Sequence, residues 1–213
     1  MLSNLLQIYY CLPSPNSSSK RLELPVEIMV HVEHDAVAVE VCKHNHREDG
    51  IIHRYVDKFE EIYGEGDEAD HNLVEAFVEK YGPIDLVLSG APCQSYSGLN
   101  SSRDKKSDSA KYLWKVGLLI KKVDCIQMAG TRRDRVLFLS ENVVFKDHDE
   151  VDKCYSYIAG EGLTPMCIDA KSFSPCKRLR FYWTNVSICY QYGTHQQLIL
   201  NIAAFPTLED SSW

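Results

Sequence analysis

The chain has 213 residues, with 45% hydrophobic and 25% charged side chains and a formal net charge of −7 at pH 7. These values are ordinary for a globular domain and exclude a disordered tail, a coiled coil and a collagen-like fibre. No apolar stretch approaches the roughly 18 residues that a membrane-spanning helix requires, so we expect no membrane partner. Eight cysteines without a C-x-x-C pair favour a reduced intracellular protein over a disulfide scaffold.

In chain order, the predicted elements alternate between strands and helices. Strands are predicted at residues 37–41, 51–56, 84–90, 135–140, 166–170 and 179–184, and helices at residues 70–81, 110–122 and 149–159. This alternation is typical of an α/β fold with a mainly parallel sheet, in which ligands bind at the carboxyl ends of the strands. We expect an unstructured or atypical segment over residues 1–21, a folded core over residues 22–192 and the start of a further region over residues 193–213.

Charge is unevenly distributed along the chain. Residues 23–80 carry 16 acidic and 5 basic side chains, whereas residues 101–135 carry 10 basic and 4 acidic ones. The basic stretch, with Lys177, Arg178 and Arg180 beyond it, has the composition of a surface that meets a phosphate backbone. A solvated helix face with a neighbouring loop is the alternative interpretation.

The segment SGAPCQSYSGLN, residues 89–100, has a cysteine just after a predicted strand. That strand ends at Gly90, so Cys93 falls in the loop at its carboxyl end. A cysteine in such a loop is open to a ligand, and it becomes a nucleophile when backbone amides or a nearby cation favour its thiolate. A buried structural thiol is the alternative.

Two later segments supply charged groups that fit the same site. LSENVV ends the next predicted strand, so the Glu141 carboxylate is expected to face the same crevice as Cys93. In CKRLRFYWTN, Arg178 and Arg180 are two residues apart and therefore point to one face of a strand. Two arginines on one face suit an anionic or carbonyl-rich ligand.

These segments, in this order, resemble the DNA cytosine-5 methyltransferases, and most closely the animal de novo enzymes of that family. PCQ is similar to the family's catalytic Pro-Cys loop, ENV to its Glu-Asn-Val block and RLR to its Arg-x-Arg block. DAKSFSPCKRLRFYWTN is similar to a family segment that reads DAK…S…RxRYFWGN. Upstream, VEVC, YVD and GPIDLVLSGAPC resemble the family's second strand, its adenine-binding segment and the strand before the nucleophile. The resemblance covers about residues 37–186.

The resemblance implies a Rossmann-like, S-adenosylmethionine-dependent methyltransferase sheet and transfer of a methyl group to carbon 5 of cytosine in DNA. Cys93 would add as a thiolate to carbon 6, which makes carbon 5 nucleophilic. Glu141 would contact ring nitrogen 3, and Arg180 with Arg178 would bind the carbonyl at carbon 2. The target base would leave the DNA stack to reach this site.

The resemblance also implies residues that hold S-adenosylmethionine. Glu40 would bind the ribose hydroxyls and Asp57 the adenine amino group, with Lys58 and Pro92 as further contacts. An exposed strand residue is the alternative interpretation of Glu40, and a turn or helix cap that of Asp57. The implied partners are DNA and either another methyltransferase subunit or a second copy of the chain, and the implied compartment is the nucleus.

Both ends of the sequence depart from the family's pattern. The family's first strand is followed by a glycine-containing loop that lets the backbone approach the cofactor, whereas this sequence has no glycine before Gly50. The family also continues beyond the arginine block into a target-recognition region, and this sequence ends at Trp213. We therefore expect a sheet incomplete at its first strand and at its carboxyl-terminal end, and weak binding of S-adenosylmethionine. A catalytically impaired accessory protein that binds DNA or an active methyltransferase is the alternative function.

Histidines are concentrated in one part of the sequence, where a metal site has to be considered. His31, His34, His44 and His46 are not accompanied by a cysteine or acidic pattern that completes a zinc site. We therefore expect no metal.

Overall fold

The computed structural model describes residues 4–8, 26–92, 108–130, 134–144, 165–172, 175, 177–189 and 201–203. The strands are β1 Asn4–Ile8, β2 Ile28–Val32, β3 Ile52–Val56, β4 Leu86–Ser89, β5 Leu137–Val143, β6 Met166–Asp169, β7 Leu179–Thr184, β8 Ser187–Cys189 and β9 Asn201–Ala203. The helices are α1 Ala36–Asn45, α2 Glu60–Tyr63, α3 His71–Tyr81 and α4 Asp108–Ala129, with a short 3-10 turn at Ala170–Ser172.

Seven strands form one sheet in the order β3-β2-β1-β4-β5-β7-β6, and β8 and β9 form a separate antiparallel pair. The pairs among β1 to β5 are all parallel, whereas β7 is antiparallel to both of its neighbours, β5 and β6. The strand order reverses between β1 and β4, which is where doubly wound sheets bind their ligands. This is the Rossmann-like α/β sheet predicted for an S-adenosylmethionine-dependent methyltransferase.

Strand β1 corrects the expectation of a sheet incomplete at its first strand and of a core beginning at residue 22. All five of its residues are buried, because it lies in the middle of the sheet between β2 and β4. The backbone N–H of Asn4 donates to Asp85 Oδ2 at 2.8 Å, and its carbonyl accepts from the Asp85 N–H at 2.9 Å. A strand buried on both faces shows no alternation of apolar and polar residues, and the buried Gln7 interrupts the apolar run.

The segment VAVEV is a helix and not the predicted strand. The Asp35 carboxylate accepts hydrogen bonds from the backbone N–H groups of Val37 at 2.8 Å and Ala38 at 3.4 Å, so α1 begins directly after Asp35. Val37 and Val41 are 72% and 45% exposed, whereas a half-buried strand would bury the face that these valines share. The cap decides the local structure, because the strand preference of valine is a small and context-dependent term.

Helix α3 is confirmed together with both of its predicted ends. The Asp70 carboxylate accepts from the backbone N–H groups of Asn72 at 2.9 Å and Leu73 at 3.2 Å, which caps the first turn. Gly82 follows the last turn with a φ of 85°, a conformation that favours glycine. The predicted strands that became β3, β4, β5, β6 and β7 are also confirmed.

Helix α4 continues past its predicted end at Lys122 because its last turn is bonded to the sheet. The Gln127 side chain accepts from the Ile84 backbone N–H at 2.5 Å and donates to the Ile84 carbonyl at 3.0 Å. Both backbone groups lie just ahead of β4, and buried groups of this kind need partners. The helix predicted for residues 149–159 lies outside the described residues.

The main hydrophobic core lies on the face of the sheet that α3 and α4 cover. Leu6 of β1, Phe77 of α3 and Leu113 of α4 belong to this core. The opposite face carries a smaller cluster that includes Leu5 and Met29. None of the described helices combines the length and the apolar character needed to span a bilayer.

Removal of β1 should abolish the fold. A variant that begins at residue 22 keeps the core predicted from the sequence, but it leaves β2 and β4 without the strand between them. We expect this variant to lose the cooperative thermal transition measured by circular dichroism. Leu6→Ala, at a fully buried position, should reduce the free energy of unfolding by about 2–5 kcal/mol. Val37→Ala is the exposed control, and equal unfolding midpoints for the two substitutions would contradict the central position of β1.

Candidate functional site

The candidate site lies at the carboxyl ends of β4 and β5. The parallel pairing of these strands ends at Ser89 opposite Ser140. Strand β5 then continues for three residues, which pair only with the antiparallel β7. Glu141 is therefore the first residue past the end of β4, but it lies within β5, two residues before the last residue of that strand, and not directly after a strand as predicted. Its side chain lies on the same face of the sheet as Leu137, the face of the smaller hydrophobic cluster.

Asn142 joins strand β5 to the loop that carries the predicted nucleophile. Its side chain is buried, and its Nδ2 donates to the carbonyl of Ala91 at 3.2 Å. Ala91 is also buried, so its carbonyl depends on this donor in place of water. Pro92 is half-buried, and Cys93 lies outside the described residues. The bond holds the Glu141 strand against the backbone two residues before Cys93.

Glu141 forms ion pairs with both predicted arginines. The distance from its Oε1 to Arg180 Nε is 2.7 Å, and that to the Arg178 guanidinium is 3.8 Å. The Glu141 and Arg180 side chains are 14% and 21% exposed, whereas that of Arg178 is 63% exposed. A charge-assisted bond with little water is strong, and a long contact to an exposed arginine contributes little. Glu141 and Arg180 are thus the ordered centre of the site.

Asp169, which belongs to the DAK segment, fixes the backbone ahead of Arg180. Its Oδ1 accepts from the backbone N–H groups of Lys171 at 3.0 Å and Arg178 at 2.9 Å. These two hydrogen bonds lower the pKa of Asp169, because they stabilise its charged form. A further bond runs from the Ala170 N–H to the Arg178 carbonyl at 3.1 Å. Asp169 thereby holds the turn between β6 and β7 from which the arginines extend.

Tyr182 lies directly opposite Glu141 in the β5–β7 pair. Burial raises the pKa of the Tyr182 phenol, and the neighbouring Glu141 carboxylate raises it further, while the two arginines lower it. The phenol therefore stays neutral at physiological pH. The site then consists of one carboxylate, two guanidinium groups and one neutral hydroxyl on the same face of the sheet.

Glu40 does not lie at a strand end, so the structural basis of its predicted cofactor role is wrong. It sits in the middle of α1, where its side chain is 72% exposed and pairs with Lys43 at 2.8 Å. The reason is the assignment of VAVEV to a strand, which placed the expected strand end at Val41, nine residues after the end of β2 at Val32. The strand that precedes α1 is β2, and it ends at Val32.

Glu33 occupies the strand-end position that was predicted for Glu40. It directly follows β2, and its backbone N–H donates to the Val56 carbonyl at the end of β3 at 3.1 Å. Its side chain is 16% exposed, and its Oε1 accepts from the Asp35 N–H at 2.9 Å. Asp57 follows β3, as predicted, and is exposed. Two carboxylates therefore stand side by side at neighbouring strand ends.

Lys58, a predicted cofactor contact, is exposed next to Asp57, and its backbone N–H donates to Glu61 Oε1 at 3.0 Å. The signal that could have identified Glu33 is the apolar run IMVHV followed at once by an acid. That run contains a histidine, and no strand is predicted from the sequence before residue 37.

Part of the predicted basic surface is described, on helix α4. Lys115 Nζ lies 5.2 Å from the centre of the Tyr63 ring, and Arg135 pairs with Asp124 at 3.8 Å. Residues 101–107 and 131–133 of the basic stretch lie outside the described residues. A DNA-binding role for this stretch stays a prediction.

No protein-family model matches the chain. Among solved structures, the chain is similar to one described as a "putative Methyltransferase from Pseudomonas syringae". The match covers 85% of this chain and 86% of that protein, with 10% sequence identity and a TM-score of 0.36. The fold assignment therefore rests on the strand order and pairing described above.

Asn142→Ala should destabilise the protein, because it leaves the buried Ala91 carbonyl without its donor. We expect the free energy of unfolding to fall by about 1–3 kcal/mol, as measured by urea denaturation followed by tryptophan fluorescence. Asn72→Ala, at an exposed position of α3, is the matched control and should change it by less than about 0.5 kcal/mol. A similar midpoint for both variants would show that the Asn142 side chain does not hold the loop.

Proposed function

We propose that this chain transfers a methyl group from S-adenosylmethionine to carbon 5 of cytosine in DNA, with Cys93 as the nucleophile. The observation that carries the proposal is the Glu141–Arg180 pair, held by the Asn142–Ala91 bond next to the loop that leads to Cys93. The Rossmann-like sheet supports methyl transfer in general. DNA as the substrate and the nucleus as the compartment depend on the sequence resemblance.

The reaction has three steps. The Cys93 thiolate adds to carbon 6 of the base, which makes carbon 5 nucleophilic. Bound S-adenosylmethionine would supply the methyl group from its electrophilic sulfonium and would leave as the neutral thioether S-adenosylhomocysteine. Transfer of the carbon 5 proton to a water molecule acting as base then breaks the bond between sulfur and carbon 6, so that Cys93 is regenerated as a thiolate.

Glu141 and the arginines bind and polarise the base. A carboxylate that meets ring nitrogen 3 stabilises the negative charge that develops when the thiolate adds, provided that a proton is shared between them. Arg180 donates to the carbonyl at carbon 2 and withdraws charge from the ring. The Glu141–Arg180 ion pair orients both groups relative to each other.

The residues at the ends of β2 and β3 fit S-adenosylmethionine. Carboxylates at such positions accept hydrogen bonds from ribose hydroxyls in doubly wound sheets. Glu33 takes this role in place of Glu40, and Asp57 accepts from the adenine amino group. The Val56 carbonyl bond to Glu33 sets the spacing of the two strand ends.

A second candidate function is a non-catalytic partner that binds DNA or an active methyltransferase. One observation favours it: the sequence has no glycine before Gly50, and this range includes the connection that follows β1. Without glycine, the backbone cannot approach a ligand as closely. A chain of this kind would bind DNA without binding S-adenosylmethionine tightly.

Cys93→Ser should abolish methyl transfer, because a serine hydroxyl has a far higher pKa than a thiol and forms almost no anion near neutral pH. The measurement is transfer of a labelled methyl group to DNA, together with covalent trapping on DNA that contains 5-fluorocytosine. Fluorine at carbon 5 prevents the elimination, so the wild type should remain attached through Cys93. Cys125→Ser and Cys176→Ser are the controls and should still be trapped. Wild-type DNA binding with neither transfer nor trapping would favour the second function.

Glu33→Gln should weaken the binding of S-adenosylmethionine by roughly 10–100-fold, which corresponds to the loss of a hydrogen bond to a charged group. Glu40→Gln is the matched control, because it removes an equal charge seven residues away on the exposed side of α1. Isothermal titration with S-adenosylmethionine at high concentration measures both. Equal weakening by the two substitutions would show that Glu33 has no particular role in the cofactor site.

A further inference from the structure

Three histidines and one aspartate are buried together on the face of the sheet opposite the main core. They are His31 of β2, His53 of β3, and His46 and Asp49 from the turn that follows α1, and we call them the histidine cluster. The side chains of His46, Asp49 and His53 are 2%, 4% and 11% exposed. The sequence predicts no metal, because no cysteine or acidic pattern accompanies the histidines there; in the structure the Asp49 carboxylate lies beside His46 and His53.

The nitrogen and oxygen atoms of the cluster converge on one point. His46 Nδ1 lies 2.7 Å from Asp49 Oδ2, and His53 Nε2 lies 3.1 Å from both Asp49 oxygens. One ligand atom from each of the three residues lies within 4.8 Å of the other two. Ligands of a tetrahedral zinc ion are about 3.3 Å apart, given metal–ligand bonds of about 2.0–2.1 Å. The two His–Asp distances differ from this value by about 0.2–0.6 Å. The His46 and His53 nitrogens, which lie within 4.8 Å of each other, would have to approach by up to about 1.5 Å to bind the same ion.

A buried carboxylate shared by two imidazoles needs a positive partner. Transfer of an uncompensated charge into the protein interior is costly, and Asp49 is nearly as buried as the histidines around it. The one described backbone group that also bonds its carboxylate is the Ile51 N–H, at 2.9 Å.

We propose that His46 Nδ1, His53 Nε2 and the Asp49 carboxylate bind a zinc ion that fixes the turn between α1 and β3. Imidazole and carboxylate ligands suit Zn²⁺ and related transition-metal ions. The three protein ligands leave one tetrahedral position for water. The site lies away from Glu141 and Arg180, so its expected effect is on stability and not on the chemistry of methyl transfer.

His31 is a hydrogen-bond partner of the proposed ligand His53 and is not itself a ligand. Its Nε2 lies 2.8 Å from His53 Nδ1, the ring nitrogen that faces away from the converging ligand atoms. Histidine ligands commonly donate their second N–H to such a partner, which fixes the orientation of the ring. The Tyr55 ring stacks on His31 with a centroid distance of 4.9 Å.

The test uses the full chain, stripped of metal with a chelator and titrated with Zn²⁺ against a chromophoric competitor. Asp49→Asn and His53→Gln should each weaken the tightest Zn²⁺ site by more than the roughly 10–100-fold that loss of an outer partner costs. His31→Phe, which keeps a flat ring in the stack, should weaken it by roughly 10–100-fold. His34→Gln and His44→Gln, both at exposed positions, are the controls and should leave it unchanged.

Two further readouts separate this site from zinc bound at exposed thiols such as Cys125 and Cys167. Zn²⁺ should raise the melting temperature of the wild type but not that of Asp49→Asn. Co²⁺ in the wild type should give visible absorption bands of a four-coordinate site without the near-ultraviolet band of thiolate ligands. The proposal is overturned if Asp49→Asn binds Zn²⁺ as tightly as the wild type. If that variant does not fold, absence of the Co²⁺ bands from the wild type overturns it equally.

Discussion

The fold depends on the pairing of one five-residue strand with two neighbours. Strand β1 bonds to β2 on one side and to β4 on the other, and among the described strands no other pairing joins the β2–β3 half of the sheet to the β4–β7 half. The cofactor carboxylates that we propose, Glu33 and Asp57, stand on the first half. Glu141 and Arg180 stand on the second. The register of β1 therefore sets how the two groups of residues are positioned relative to each other.

The reversal of β7 creates the charged centre of the site. Had β7 been parallel, its amino-terminal residues would lie at the opposite edge of the sheet from the carboxyl end of β5. Because it is antiparallel, Arg180 pairs opposite Val143, and its guanidinium reaches Glu141. Asp169 fixes the turn at which the chain reverses. The turn held by Asp169, the antiparallel direction of β7 and the Glu141–Arg180 ion pair therefore depend on one another.

Sequence reasoning succeeded where the signal is local or where a residue follows a strongly apolar run. Asp70 and Gly82 are recognisable from the sequence as helix ends, and the apolar run VLFL before Glu141 is typical of a buried strand. It failed where the deciding contact is distant in sequence. The burial of the polar residues Asn4 and Gln7 is explained by the position of β4 beside β1, which the sequence does not indicate.

The error at Glu40 shows how a single misassigned element propagates. A cap at Asp35 turned a valine-rich segment into a helix, and the strand-end carboxylate moved to Glu33. The link from Asn142 to Ala91 spans 51 residues, and no periodicity indicates it. The sequence indicates only part of the histidine cluster, because it is the turn after α1 that brings Asp49 and His53 next to His46.

The central position of β1 has a consequence for synthesis on the ribosome. Asn4 and its partner Asp85 are 81 residues apart, so translation at about 5–20 residues per second leaves several seconds between them. During that time the apolar strand has an unpaired edge, which is a template for association with other chains. Substitutions that weaken the β1–β4 contact should therefore reduce soluble yield in the cell before they measurably alter the folded protein, and binding of a chaperone to the nascent amino-terminal segment would protect it.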